Sequence, residues 1–205
     1  MATIVDILLS FVLGGILLVV ILTANDITAE NAFTLNGDVF VQQMLVSVAQ
    51  IVEGEVRNMG YNVPDSVAVV MDARDTSITF LEDLNLDGSI DTVHYYTGAV
   101  SEMTNTQNDS DRFLYRKVNS SPRNAVGVVT RFKMRYFTQA QADTLTPPIP
   151  LTDMKSIKTV EITLEIQNPY ALYRRQAEVG PGERNALFSS SMWRQTRLAS
   201  QNLRR

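Results

Sequence analysis

The stretch ILLSFVLGGILLVVILTA, from Ile7 to Ala24, holds eighteen residues and no charge. At about 1.5 Å rise per residue it forms a helix just long enough to cross a hydrocarbon core of roughly 30 Å. Asp6 stands immediately before the run, and an acid at the edge of a membrane span is costly unless it has a partner. A cleaved secretory signal fits poorly. It requires a basic segment ahead of the apolar core and a small-x-small site after it. No Lys or Arg occurs before Arg57. Residues 1–25 therefore read as a hydrophobic helix that spans a membrane or fills the core of an assembly.

Residues 26–61 read as an amphipathic continuation of that helix. Phe33, Phe40, Met44, Val48, Ile51, Val52, Val56 and Met59 recur at three- and four-residue intervals, one stripe of a helix surface. Asn36-Gly37 is the weak point, since Gly costs about 1 kcal/mol relative to Ala in a helix interior, and a kink or an unwound turn is expected there. Gly60, Tyr61, Asn62 and Pro64 form a stop signal.

After Pro64 the apolar period changes from helical to alternating, and residues 62–205 read as a β-sheet head. Strands are expected at Val67–Met71, Ser77–Leu81, Thr92–Tyr96 and Arg112–Arg116, the second and third joined by an Asp/Asn/Gly turn. In Val128–Tyr136, Phe132, Met134 and Tyr136 alternate with Arg131, Lys133 and Arg135. In Thr159–Ile166, Val160, Ile162, Leu164 and Ile166 alternate with Thr159, Glu161, Thr163 and Glu165. Each has one apolar face for packing on a helix and one charged face, so the two suit each other as cross-strand partners. Residues 138–156, with Thr146-Pro147-Pro148-Ile149-Pro150, read as a long loop. Ser189–Leu203 reads as a last edge strand anchored by Trp193. The fold class is α+β: a long N-terminal helix, its first half transmembrane, packed on a C-terminal antiparallel sheet domain.

The net charge of −4 conceals an asymmetry. Residues 1–111 hold sixteen acids and two bases, whereas residues 112–205 hold six acids and sixteen bases. Halves of opposite sign attract within a subunit or between neighbours. The basic residues are spread along strands without aromatic stacking platforms, which argues against nucleic acid as a partner. There is no cysteine, so disulfides and thiolate metal sites are excluded.

In two places the chain resembles the type IV pilin superfamily, which includes the pseudopilins of type II secretion. Ala2-Thr3-Ile4-Val5-Asp6 aligns with the Phe-Thr-Leu-Ile-Glu start of that family's mature chains, Asp6 standing at the glutamate. Glu55-Val56-Arg57-Asn58-Met59-Gly60-Tyr61 is similar to the Arg-x-x-Gly-Tyr close of the helix in larger minor pilins. The resemblance implies a filament subunit that waits in the inner membrane and ends in a cell-surface or periplasmic filament. Its partners would be other copies or related pilins, membrane lipid before assembly, and an assembly machinery. It further implies that the Asp6 carboxylate meets the amino group of a neighbour's Ala2 as subunits leave the membrane. The family's basic leader does not precede Met1. Either the sequence given omits a leader, or removal of Met1 exposes the Ala2 amine.

A second motif lies in the turn: Asp83-Leu84-Asn85-Leu86-Asp87-Gly88-Ser89-Ile90-Asp91. Oxygen-bearing side chains fall at positions 1, 3, 5, 7 and 9 with Gly at 6, the pattern of a calcium loop. Position 12 is His94 rather than a bidentate Glu, so Asp83, Asn85, Asp87, Ser89 and Asp91 form an incomplete calcium set; the other reading is a hairpin turned at Asp87-Gly88. No nucleophile-base order, phosphate loop or zinc pattern is present. His94, the single histidine, falls on a strand beside Tyr95 and Tyr96, a packing position. The expected function is a non-enzymatic structural subunit of a pilus-like or pseudopilus-like filament. The alternative is a membrane-anchored extracytoplasmic binding module, calcium-dependent or not, that does not polymerise.

Overall fold

The computed structural model describes residues 2–106, 108–138, 144–169, 171–173, 186–188 and 191–204. One helix, α1, runs unbroken from Ala2 to Asn58, which is about 85 Å at 1.5 Å per residue. In its first half the large apolar side chains from Ile4 to Leu22 are all 54–78% exposed. The hydroxyls of Ser10 and Thr23 donate to the carbonyls of Asp6 and Val19, one turn back, so they are satisfied inside the helix.

The second half of α1 is held against the head by a stripe of Val41, Leu45, Val48, Ala49, Val52, Val56 and Met59, all buried. This differs from the stripe expected from hydrophobicity. Phe33, Phe40 and Ile51 lie exposed to one side, and Ala49 is fully buried in their place. Position decides the matter, since Phe33, Phe40 and Ile51 share a side of the helix that the sheets do not cover. Small groups let backbones approach: a Cβ added to Gly127 would lie 2.5 Å from Val48 Cγ2. At Asn36-Gly37 the helix neither unwinds nor stops. A Cβ at Gly37 would lie 2.1 Å from Nδ2 of the buried Asn168, so this glycine admits a neighbour rather than a bend. The stop comes where expected: α1 ends at Asn58 and Gly60 takes a φ of +81°. The C-terminal segment returns to this helix end, with Ser200 Oγ donating to the Met59 carbonyl at 2.7 Å and Asn202 Nδ2 at 3.3 Å.

The head contains two principal antiparallel sheets. The first comprises β1 (Val70–Ala73), β2 (Ser77–Glu82), β3 (Asp91–Thr97), β4 (Arg112–Val118) and β5 (Asn124–Val129), paired in chain order. The second uses β6 (Arg131–Phe137), β7 (Thr144–Leu145), β8 (Thr159–Gln167) and β11 (Ser191–Leu198) in the order β11-β8-β6-β7. Between β8 and β11, β9 (Ala171–Tyr173) and β10 (Ala186–Phe188) pair as a ribbon. The expected first strand lies later than Val67, because the Val67 N–H still closes a turn on the Pro64 carbonyl. The single strand expected over Val128–Tyr136 is two. The chain leaves one sheet for the other at Thr130, whose N–H and Oγ1 both donate to the Glu165 carbonyl.

The charged strands pair as their alternation predicts, with Arg131 opposite Glu165 and Arg135 opposite Glu161. Loop 138–156 is stitched down by β7 and by buried Ile149 and Met154; its residues 139–143 lie outside the described set. The last strand is an edge strand as expected, but Trp193 is not its packing anchor. Its even-numbered neighbours Arg194 and Thr196 reach α1, so Trp193 points to the opposite face and is 65% exposed.

Candidate functional site

Three surfaces carry functional potential. The first is the apolar half of α1, with Ala2 opening the helix and the exposed Asp6 one turn later. A window of this helix has a mean hydropathy of 2.9 and is not covered by the rest of the chain, so by length and composition it suffices to cross a membrane. Asp6 has no ion-pair partner among the described residues.

The second surface surrounds the far end of α1 and the turn between β2 and β3. The structure brings Asp83, Asn85, Asp87, Ser89 and Asp91 into one turn and engages their oxygens with local donors. Asp83 accepts from the Asp87 and Gly88 N–H groups and from Asn62 Nδ2. Asp87 accepts from the Ser89 N–H at 2.7 Å and from Asn85 Nδ2 at 2.8 Å. Asp91 accepts from the Leu84 N–H and from Asn119 Nδ2. The Ser89 N–H first, then Asn85, holds the Asp87 carboxyl below the usual range. Among the described residues no group of three or more acidic or histidine side chains is disposed to hold a metal ion. Hydrogen bonds alone therefore account for the shape of this turn. Gly88 takes a φ of +86°, and Leu86, whose Cβ makes a positive φ costly, has a φ of +61° and is 72% exposed. Leu84 and Ile90 are exposed beside it.

Beneath the turn is a cleft of about 370 Å³ lined by Glu55, Asn58, Tyr61, Glu82, Asp83 and Leu86, among others. Glu55 is neutralised there: its carboxylate lies 2.7 Å from an Arg116 guanidinium nitrogen and accepts the Tyr95 hydroxyl at 2.5 Å. Glu82 is not. It is buried and its Oε1 has no hydrogen-bond partner among the described residues. Burial first, then the Glu55 charge, pushes the Glu82 carboxyl up to about 7; Arg116 opposes this and Asp91 adds to it. Glu82 shares the inward parity of Ile78 and Phe80 on β2, and its charge at the strand end is what hid it.

The third surface is the outer face of the second sheet, a shallow groove of about 560 Å³. Its rows are Trp193–Glu165–Arg131, Gln195–Thr163–Lys133 and Arg197–Glu161–Arg135. Glu161 pairs with Arg135 at 3.3 Å and with Arg197 at 2.8 Å, and Glu165 pairs with Arg131 at 3.4 Å. Lys133 is left without an ion-pair partner among the described residues. The exposure of Trp193 was legible only as a parity argument: it shares its face with Gln195 and Arg197.

The charge halves meet within the chain. Glu53 on α1 accepts from Arg194 at 2.7 and 3.1 Å and from Thr196 at 2.7 Å, while Glu55 binds Arg116. His94 stacks on Tyr96 with ring centroids 4.6 Å apart, and burial lowers its basicity.

A long N-terminal helix, bare and apolar in one half and clamped to antiparallel sheets in the other, defines an α+β architecture built around a protruding helix. Among solved structures, the chain is similar to a type IV-like pilin from Thermus thermophilus, with 13% identity and a TM-score of 0.46 over 79% of this chain and 97% of that one. No protein-family model matches the chain, and no curated protein matches it in sequence.

Proposed function

We propose that this chain is a structural subunit of a type IV pilus-like or secretion pseudopilus-like filament, held in a membrane by α1 before assembly and joined to other copies through it afterwards. The observation that carries the reading is the apolar half of α1, exposed on all sides while its continuation is fixed to the head. Such a surface, apolar from Ile4 to Leu22, is stable only in lipid or against other apolar helices. The two sequence motifs supply the rest. Asp6, one turn from the start of the helix, would exchange its costly place at the membrane edge for a charge pair with the Ala2 amine of a neighbour. No part of this role requires catalysis.

Calcium at the aspartate turn is a subordinate proposal, resting on the oxygen pattern of Asp83, Asn85, Asp87, Ser89 and Asp91 alone. The filament reading does not depend on it.

The test is isolation of sheared surface or periplasmic filaments from cells that make the chain, with its copy number counted. The proposal expects the chain as a stoichiometric or low-copy component. A chain that stays in the membrane fraction and is a monodisperse monomer in detergent would instead be an anchored binding module.

A further inference from the structure

The aspartate turn and the groove on the second sheet have complementary chemistry. The turn projects an apolar tip, Leu86 with Leu84 and Ile90 beside it, and carries Asp87, which its own loop hydrogen bonds keep ionised. Leu86 holds a left-handed backbone conformation that leucine rarely adopts, and the outcome is to place an apolar side chain in solvent. The groove presents an exposed indole at one end and, in its middle row, a lysine for which the described residues offer no acid. Its acids are already taken: Glu161 by two arginines and Glu165 by Arg131. The excess charge of the face is thus positive and that of the turn negative, and each surface has an apolar element for the other.

We infer that the occupant of the groove is the β2–β3 turn of a second copy, with Leu86 against Trp193 and Asp87 beside Lys133. The two surfaces belong to different sheets, so the contact is heterologous and leaves a free turn and a free groove at the ends of every pair. Where the rotation between copies does not close a ring, such a contact propagates as an open chain, as a filament requires. Trp, at one end of the groove, is among the residue types that dominate binding energy at protein interfaces. This inference deepens the filament reading by naming a contact between heads in addition to that between helices.

The chain has no cysteine, which permits a clean test. The full chain carrying Leu86→Cys and Trp193→Cys, both at exposed positions, is treated with a short bis-maleimide in detergent and in sheared material. The contact predicts a ladder of dimers, trimers and larger species, and heterodimers alone when the two single-cysteine chains are mixed. Asp87→Lys should reduce the yield several-fold, and adding Lys133→Glu should restore it. Filaments without an 86–193 link would overturn this contact and leave the filament reading standing. A ladder from a chain that never enters filaments would keep the contact and remove that reading. Neither ladder nor filament would overturn both.

Discussion

Glu82 shows how one buried residue couples the head to pH. Its carboxyl sits above its usual value because burial and the Glu55 and Asp91 charges outweigh Arg116. Glu55 faces it from α1, Asp91 from β3 and Arg116 from β4. A carboxyl with a raised pKa binds its proton more tightly in the folded state, so its contribution to stability is complete below about 4.5 and is lost as pH rises through about 7. The head should therefore lose stability across that window. Glu82→Gln, which keeps the shape without the charge, should flatten the dependence and stabilise the protein by about 1–2 kcal/mol at pH 8. Denaturant melts of the detergent-solubilised chain from pH 4.5 to pH 8 check this, and equal slopes for the two proteins would remove Glu82 as the cause. The parity of Ile78 and Phe80 extends to Glu82, but the carboxyl's lack of a partner is not legible until the helix that covers it is placed.

At the scale of elements, the sequence told the kinds of structure well and their contacts less well. The helix stop at Gly60, the hairpin around Asp83–Asp91 and the opposition of Arg131–Arg135 to Glu161–Glu165 all follow from local chemistry, and all were legible. The buried stripe of α1 was only half legible, because hydrophobicity ranks Phe33 and Phe40 above Ala49, whereas which side of the helix the sheets cover decides burial. Gly127→Val should overpack the contact with Val48 and cost about 1–3 kcal/mol. Gly54→Ala, on α1 with nothing within 4 Å of the new methyl group, should stabilise by up to about 1 kcal/mol through helix propensity. Opposite signs in one denaturation series would separate packing from propensity. For the aspartate turn, the calcium proposal expects a melting temperature higher in millimolar calcium than in chelator, a difference that Asp83→Asn with Asp87→Asn abolishes. The same melting temperature in both would leave a hairpin turn held by its hydrogen bonds alone.

Over the whole molecule, the charge asymmetry and the bare helix point the same way. Acids from the first half are matched inside the chain at Glu53–Arg194 and Glu55–Arg116, which fix the head on the helix, and at Glu102–Arg123 within the head. The apolar half of α1 and the Asp6 carboxylate find no such match among the described residues, and they are what assembly would satisfy. The most direct measurement compares sheared and membrane fractions of cells that make wild type, Asp6→Ala, Asp6→Asn or Asp6→Glu beside the intact assembly machinery. All four should insert in the membrane, Asp6→Ala as well as or better than wild type, since removing an acid from the edge of a span lowers the cost of insertion. The account predicts that wild type reaches the sheared fraction, Asp6→Glu largely does, and Asp6→Asn and Asp6→Ala remain in the membrane. Asp6→Ala in sheared filaments at wild-type level would contradict the charge pairing on which the account rests.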